Sequence, residues 1–214
     1  MPEPATSNTA DAELVQRAQA GDLDAFEALT NRYERRVYSL AWRFLQHEQD
    51  AEDVTQQTFL SALENLAGFR GEASFSTWLL RIATHAALKI IRKRKGLKTI
   101  PLEAPDPESE GFDSVARPEF IADWRESPEE LVYRNEVRRL LDEALGELDA
   151  KHRMVFLLRD VEGFSVKETA DALGLSEANT KVRLLRARLQ LRERLTRTLG
   201  DTRRRLQRSP DHAH

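Results

Sequence analysis

The residues of this chain best equipped for chemistry are arginines and lysines at helical spacing, and the chemistry they suit is the holding of phosphate. Between Arg81 and Lys98 stand seven basic residues and no acidic one, including the run Arg92-Lys93-Arg94-Lys95. From Lys181 to Arg208 there are eleven basic residues against two acidic, whereas Pro101 to Glu130 carries ten acidic against two basic. The net charge of −3 over 214 residues therefore averages over strong segregation. Two basic stripes parted by an acidic segment fit a chain that meets a polyanion at two places. Either stripe alone could be a solvated helix face, and a basic helix end also complements the helix dipole. Context favours more for the first stripe. Its helix follows the loop Phe69-Arg70-Gly71-Glu72-Ala73-Ser74 and carries Trp78 and His85, a grouping able to hold unstacked bases beside a phosphate-binding helix. The competing readings make Trp78 a core residue and His85 a surface histidine.

The second stripe belongs to the most legible stretch of the sequence. Ser165 with Glu168 forms a capping box, Gly174 supplies a positive-φ helix end, and Ser176 caps a longer basic helix. A short helix, a glycine turn and a longer basic helix make a helix-turn-helix. Its second helix offers Glu177, Asn179, Thr180, Lys181 and Arg183 near its start, where such helices meet base edges in the major groove. Arg186 and Arg188 lie further along and suit phosphates. The competing reading is an ordinary helix pair with a charged outer face.

Composition narrows the class. With no cysteine, disulfides, thiolate zinc sites and cysteine nucleophiles are excluded, and the chain suits a reducing cytoplasm. No metal site, cofactor motif or catalytic constellation stands out, so the chain reads as a non-enzyme; His212 and His214 read as part of a disordered end. Met1 to Ala10 lacks the basic start and apolar core of a signal peptide, and no apolar run reaches membrane-spanning length.

The elements that must position these groups are helices. The expected fold is all-α: two small helical domains joined by a flexible acidic linker, the second containing the helix-turn-helix. The first domain spans 11–95, the linker 96–130 with five of the eight prolines, the second domain 131–199 and a disordered tail 200–214. In the first, Asp22, Asp50 and Ser74 are expected to cap successive helices. Their inward stripes read Phe26, Leu29, Tyr33, Val37, Leu40, Ala41, Phe44 and Leu45; then Ala51, Val54, Thr58, Ala62, Leu63 and Leu66; then Phe75, Trp78, Leu79, Ile82, Ala86 and Ile90.

Taken together these residues resemble the extracytoplasmic-function (ECF) class of bacterial RNA polymerase sigma factors, over nearly the whole chain from Glu13 to Leu195. Asp50-Ala51-Glu52-Asp53-Val54 with Gln56, Thr58 and Phe59 looks like that family's polymerase-binding segment. Phe69-Arg70-Gly71-Glu72, Phe75, Thr77-Trp78 and Arg81-Ile82-Ala83 look like its −10 loop and helix. Val155 to Gly163, with Arg183-Leu184 and Arg186-Ala187-Arg188, match its −35-reading domain.

The resemblance implies an initiation factor working as a bridge. Asp50, Glu52, Asp53, Val54, Gln56 and Phe59 would dock on the β′ clamp coiled coil of core RNA polymerase. Arg70, Gly71, Glu72 and Ser74 would capture a flipped base of the melted −10 strand. Arg81, His85, Lys89, Arg92, Lys93 and Arg94 would hold its backbone. The second domain would read −35 duplex and touch the β flap, the acidic linker would thread toward the RNA exit path, and an anti-sigma factor would hold the protein inactive. Asn is usual in the family where His85 stands and Asp where Lys89 stands, so the preferred −10 sequence does not carry over. Valine is common at Thr180, whose methyl can pack or whose hydroxyl can face the groove, and an acid is common at Gln57. Two rival readings are a free-standing helix-turn-helix regulator of operator DNA and a helical adaptor for acidic proteins. A clamp-docking segment and a long linker favour the bridge over both.

Overall fold

Asp22 opens the first long helix, its carboxylate accepting the Ala25 amide at 3.1 Å. The computed structural model describes residues 5–94 and 139–206, with side chains over 10–94 and 139–197. Four helices make the N-terminal half: α1 (Ala5–Gln19), α2 (Leu23–Leu45), α3 (Glu48–Asn65) and α4 (Phe75–Arg94). Along α2, Leu29, Tyr33, Val37, Leu40, Ala41 and Phe44 return every three or four residues and are all essentially solvent-free. Each large apolar side chain removed from water in this way contributes about 1.5–3 kcal/mol. The helix ends at Gln46, held at φ 51° with its amide on the Trp42 carbonyl.

Three expectations shift in this half. The cap of α3 is His47, whose Nδ1 accepts the Asp50 amide at 3.3 Å. Asp50 instead sits in the first turn and pairs with Arg94 at the far end of α4, an acid at a helix start facing a base at a helix end, each favoured by its dipole. Ser74 does cap α4, accepting the Thr77 amide at 3.1 Å. On α4, however, Leu80, Ala83, Ala87 and Leu88 are buried with Phe75 and Leu79, while Trp78, Ile82, Ala86 and Ile90 are only partly covered. The helix is packed on by α2 and α3 and also by the C-terminal half, so its apolar surface is wider than one stripe. Leu63, expected inward, is 44% exposed.

The C-terminal half contains α5 (139–146), α6 (Ala150–Phe156), a π-helical turn (Leu157–Val161), α7 (Val166–Leu173) and α8 (Glu177–Leu206). In the π turn the Glu162 amide reaches back to the Leu157 carbonyl at 2.9 Å, and the extra residue re-aims Asp160 and Glu162. The expected capping box of α7 is present in both directions, and Gly174 ends the helix at φ 65°, where a β-carbon would clash with the backbone. Ser176 accepts the Asn179 amide at 3.2 Å. Helix α8 continues to Leu206, into the segment expected as tail. The expected linker 96–130 and both tail histidines lie outside the described residues.

Among the described residues the secondary structure is helical, without strands, as the all-α expectation required, and no helix is long and apolar enough to cross a membrane. The two halves are in contact rather than apart. Their buried residues form one continuous apolar cluster. Arg36 meets Glu162 at 2.8 Å and Arg43 meets Asp142 at 3.1 Å. Between them Arg153, 7% exposed, donates to the Gly146 carbonyl at 2.9 Å and to Phe44 of α2 at 3.1 Å. One guanidinium thus serves end-of-helix carbonyls, which lack intrahelical partners, from both halves.

Candidate nucleic-acid interface

The loop between α3 and α4 is fixed at both ends and open in the middle. Phe69 packs against Trp78 and Phe75 at ring separations of 5.0 and 6.0 Å, and Phe75 continues to Tyr33 at 5.6 Å. Gln19, from α1, donates through Nε2 to the carbonyls of Leu66 and Phe69, both at 2.9 Å. Ser74 closes the far end by capping α4. Between these anchors Arg70, Gly71 and Glu72 are exposed, and Gly71 takes φ 72°. Trp78 therefore belongs to the aromatic base of the loop. Gln19 had no local signal, since its partners lie 47 and 50 residues away.

Beneath the loop, Arg81, His85, Lys89 and Arg92 follow one another at three- and four-residue spacing along a single face of α4. His85, Lys89, Arg92 and Lys93 are exposed. Arg81 is half-buried and lies 3.6 Å from Glu168 of α7. His85 lies against the backbone of Ala172; desolvation lowers its pKa from 6.5, with Arg92 and Arg81 acting the same way and the Ala172 carbonyl opposing. At neutral pH it is a neutral hydrogen-bonding group rather than a cation. Arg94 is engaged by Asp50 and by the Leu45 carbonyl, so it closes the helix pair as well as extending the stripe.

On α8 the structure rotates the expected reading face. Thr180 is fully buried, its hydroxyl on the Ser176 carbonyl at 3.0 Å. Arg183 is 3% exposed, its Nε on Asn179 Oδ1 at 2.8 Å. Both stand in the packing stripe with Leu184, Ala187 and Leu191, so neither reaches a groove; their positions obey helical periodicity whatever their polarity. The outward stripe runs through Glu177, Ala178, Lys181, Arg188 and Arg192. Arg188 holds Asp160 with two hydrogen bonds, at 2.8 and 2.7 Å. Arg186 is half-buried, and Asn179 is partly covered and holds Arg183. Ala178 and Arg192 are additions that the alternation of buried and exposed positions would have pointed to.

Helix α3 shows a third exposed stripe, of different chemistry. Glu52, Asp53, Gln56 and Gln57 are exposed, and beside them stand Leu60 at 58% and Leu63 at 44% exposure. Phe59 is half-buried against the core. Val54, expected as a contact, is 1% exposed and belongs to the core. An acidic start running into uncovered leucines suits a protein partner with basic and apolar surface better than it suits DNA.

Comparison with known proteins identifies the family. Sigma-70 region 2 matches residues 29–96 and Sigma-70, region 4 matches residues 138–191. The RNA polymerase sigma-H factor of Pseudomonas aeruginosa is 32% identical over 83% of this chain and 90% of its own length. The ECF RNA polymerase sigma factor SigW of Bacillus subtilis is 31% identical over 85% of this chain and 94% of its own. Among solved structures, CnrH in complex with the cytosolic domain of CnrY superposes with a TM-score of 0.56 at 28% identity, covering 87% of this chain and 97% of that one. The sigma factor RpoE of Bartonella quintana, solved with the anti-sigma factor NepR, shares the fold with a TM-score of 0.55 at 23% identity, over 80% of this chain and 96% of that one. With both regions present in order and relatives above 30% identity along most of its length, this chain belongs to the ECF class of RNA polymerase sigma factors.

Proposed function

We propose that the chain initiates transcription by carrying core RNA polymerase to promoters that it reads at two points. Region 2, expected over 11–95, supplies two of the three surfaces. The exposed stripe Asp53, Gln56, Leu60 and Leu63 docks on the polymerase clamp, with Glu52 and Phe59 at its edges. The loop Arg70 to Ser74 receives a base flipped from the −10 strand, an extrusion costing a few kcal/mol, while Lys89, Arg92 and Lys93 hold the adjoining phosphates. Region 4, expected over 131–199, reads −35 duplex through Glu177, Ala178 and Lys181, with Arg188 and Arg192 toward phosphate. The work is binding and positioning, without covalent chemistry, and belongs where polymerase and chromosome are, in the cytoplasm.

The observation that carries this reading is the α3 stripe. A regulator that finds its operator alone needs no exposed acidic and leucine-bearing face beside a base-capturing loop. An anti-sigma factor is the expected controlling partner, the kind of partner with which the sigma factor RpoE of Bartonella quintana was solved. The test is transcription in vitro with purified core polymerase and a promoter library. Transcripts should start downstream of a shared pair of −10 and −35 elements. Binding to the same DNA without polymerase, and no promoter-dependent transcript with it, would instead identify a free-standing regulator.

A further inference from the structure

Helix α1 lies outside the matched span 29–96, yet both of its ends close on the aromatic base of the loop before α4. At one end Asp11 is buried and accepts hydrogen bonds from Arg32 and from the Tyr33 hydroxyl of α2. The Tyr33 ring meets Phe75, and Phe75 meets Phe69 at the root of the loop. At the other end Gln19 donates to the carbonyls of Leu66 and Phe69. Contacts therefore run in a ring, from α1 through Tyr33, Phe75 and Phe69 and back to α1. We infer that Gln19 is a positioning residue for base capture at the −10 element, and that α1 is the splint through which it holds the loop ready. This extends the base-capturing reading of Arg70 to Ser74 and rests on it.

The splint is fixed along its length. Asp11 and Gln19 stand about 12 Å apart along the helix axis at ~1.5 Å per residue. Between them Val15 is buried, with Leu14 and Ala18 packed on the same core, so the helix cannot slide without losing close apolar contact. Beside Gln19, Arg17 reaches forward to Asp22, the cap of α2, at 2.9 Å, which holds the turn between the two helices. Extruding a base from a duplex is costly. Any loop residue ordered only on capture would divert binding energy into its own lost conformational freedom. A root already fixed avoids that loss when the strand opens. Arg70, Gly71 and Glu72 remain exposed, so the clasp leaves the receiving residues accessible.

The test uses the full chain with core polymerase on the strongest promoter recovered from the library described above. Single abasic sites are placed in turn across the non-template strand of its −10 element, and opening is followed by permanganate reactivity of unpaired thymines. With the unsubstituted protein, one abasic position should slow opening far more than its neighbours, which marks the captured base. On the intact promoter Gln19→Met should slow opening about fivefold, the size of one net hydrogen bond. Promoter occupancy before opening should not change. On the promoter abasic at the marked position, Gln19→Met should slow opening no further. Gln19→Lys, whose ammonium again offers donors to two carbonyls, should return the rate on the intact promoter. Equal slowing by Gln19→Met on both promoters, or slowing on neither, overturns the inference and leaves base capture standing, as does a Gln19→Lys rate no better than that of Gln19→Met. A scan with no marked position instead sinks the base-capturing reading, and the role of Gln19 falls with it.

Discussion

Both ring nitrogens of His152 lie buried without a hydrogen-bond partner among the described residues. Burial lowers its pKa from 6.5, Lys151, Arg183 and Arg186 push the same way, and Asp149 opposes them. The unfolded chain, with histidine near its usual value of about 6.5, thus binds more protons below that pH than the folded one. The stability owed to neutral His152 is complete above pH ~6.5 and is lost as pH falls below it. Tm measured from pH 7.5 to 5.5 should decline, and His152→Phe should flatten the decline; an unchanged slope would assign it to another group. Neighbouring Arg183 separates charge from exposure in the same way. Arg183→Ala should destabilise the protein by about 2 kcal/mol, since it removes a buried, hydrogen-bonded charge. Lys181→Ala should leave Tm alone and weaken use of the −35 element, by ~1–3 kcal/mol if the side chain reads a base. Thermal melts and promoter-dependent transcription separate the two. Sequence reading grouped these residues because it equated a basic side chain with a surface one, and the packing periodicity of Thr180, Leu184, Ala187 and Leu191 overrides that.

At the scale of elements, what could be read depended on how local its cause was. The Ser165–Glu168 box, the Gly174 turn and the Asp22 and Ser74 caps each rest on residues three or four apart, and all stand as expected. Burial opposes ionisation of Glu168, yet the Ser165 amide and hydroxyl and Arg81 together hold its carboxyl below the usual range. The π turn has no such signature; one added residue inside a helix changes which way Asp160 and Glu162 point without changing the hydrophobic pattern. Nor does the clasp of Gln19 on the loop before α4, which depends on α1 crossing near the end of α3. That clasp fixes the root of the loop, and the aromatic cluster alone does not reach the Leu66 carbonyl. Gln19→Met keeps the length and removes both donors. Amide hydrogen exchange across Arg70 to Ala73 should speed up several-fold while Tm moves little, because the side chain is exposed and a single such bond is worth only about 0.5–1.5 kcal/mol. Unchanged exchange would show that the aromatic cluster holds the loop without help.

For the whole molecule the question is what couples two halves whose cores touch. Surface ion pairs contribute little, about 0–1 kcal/mol each, and Arg36–Glu162 and Arg43–Asp142 are partly solvated. Arg153 is different, since it is buried and its donors end on carbonyls of both halves. No carboxylate among the described residues forms a salt bridge with it, and desolvation lowers its pKa, with Asp149 only partly opposing. The folded protein tolerates that cost because the helix ends of α2 and α5 meet the guanidinium together. Parting the halves removes Phe44 but leaves Gly146, so the contact can open without stranding the charge. Arg153→Met should therefore act twice. It should destabilise region 4 by about 2 kcal/mol through the lost carbonyl partners. For a unit of that size this lowers its Tm by on the order of 10 °C. It should also uncouple the halves, so that calorimetry resolves two transitions where the unsubstituted chain gives one in low salt. If Arg153→Met lowers a single transition without splitting it, the apolar cluster carries the coupling and the arginine serves region 4 alone.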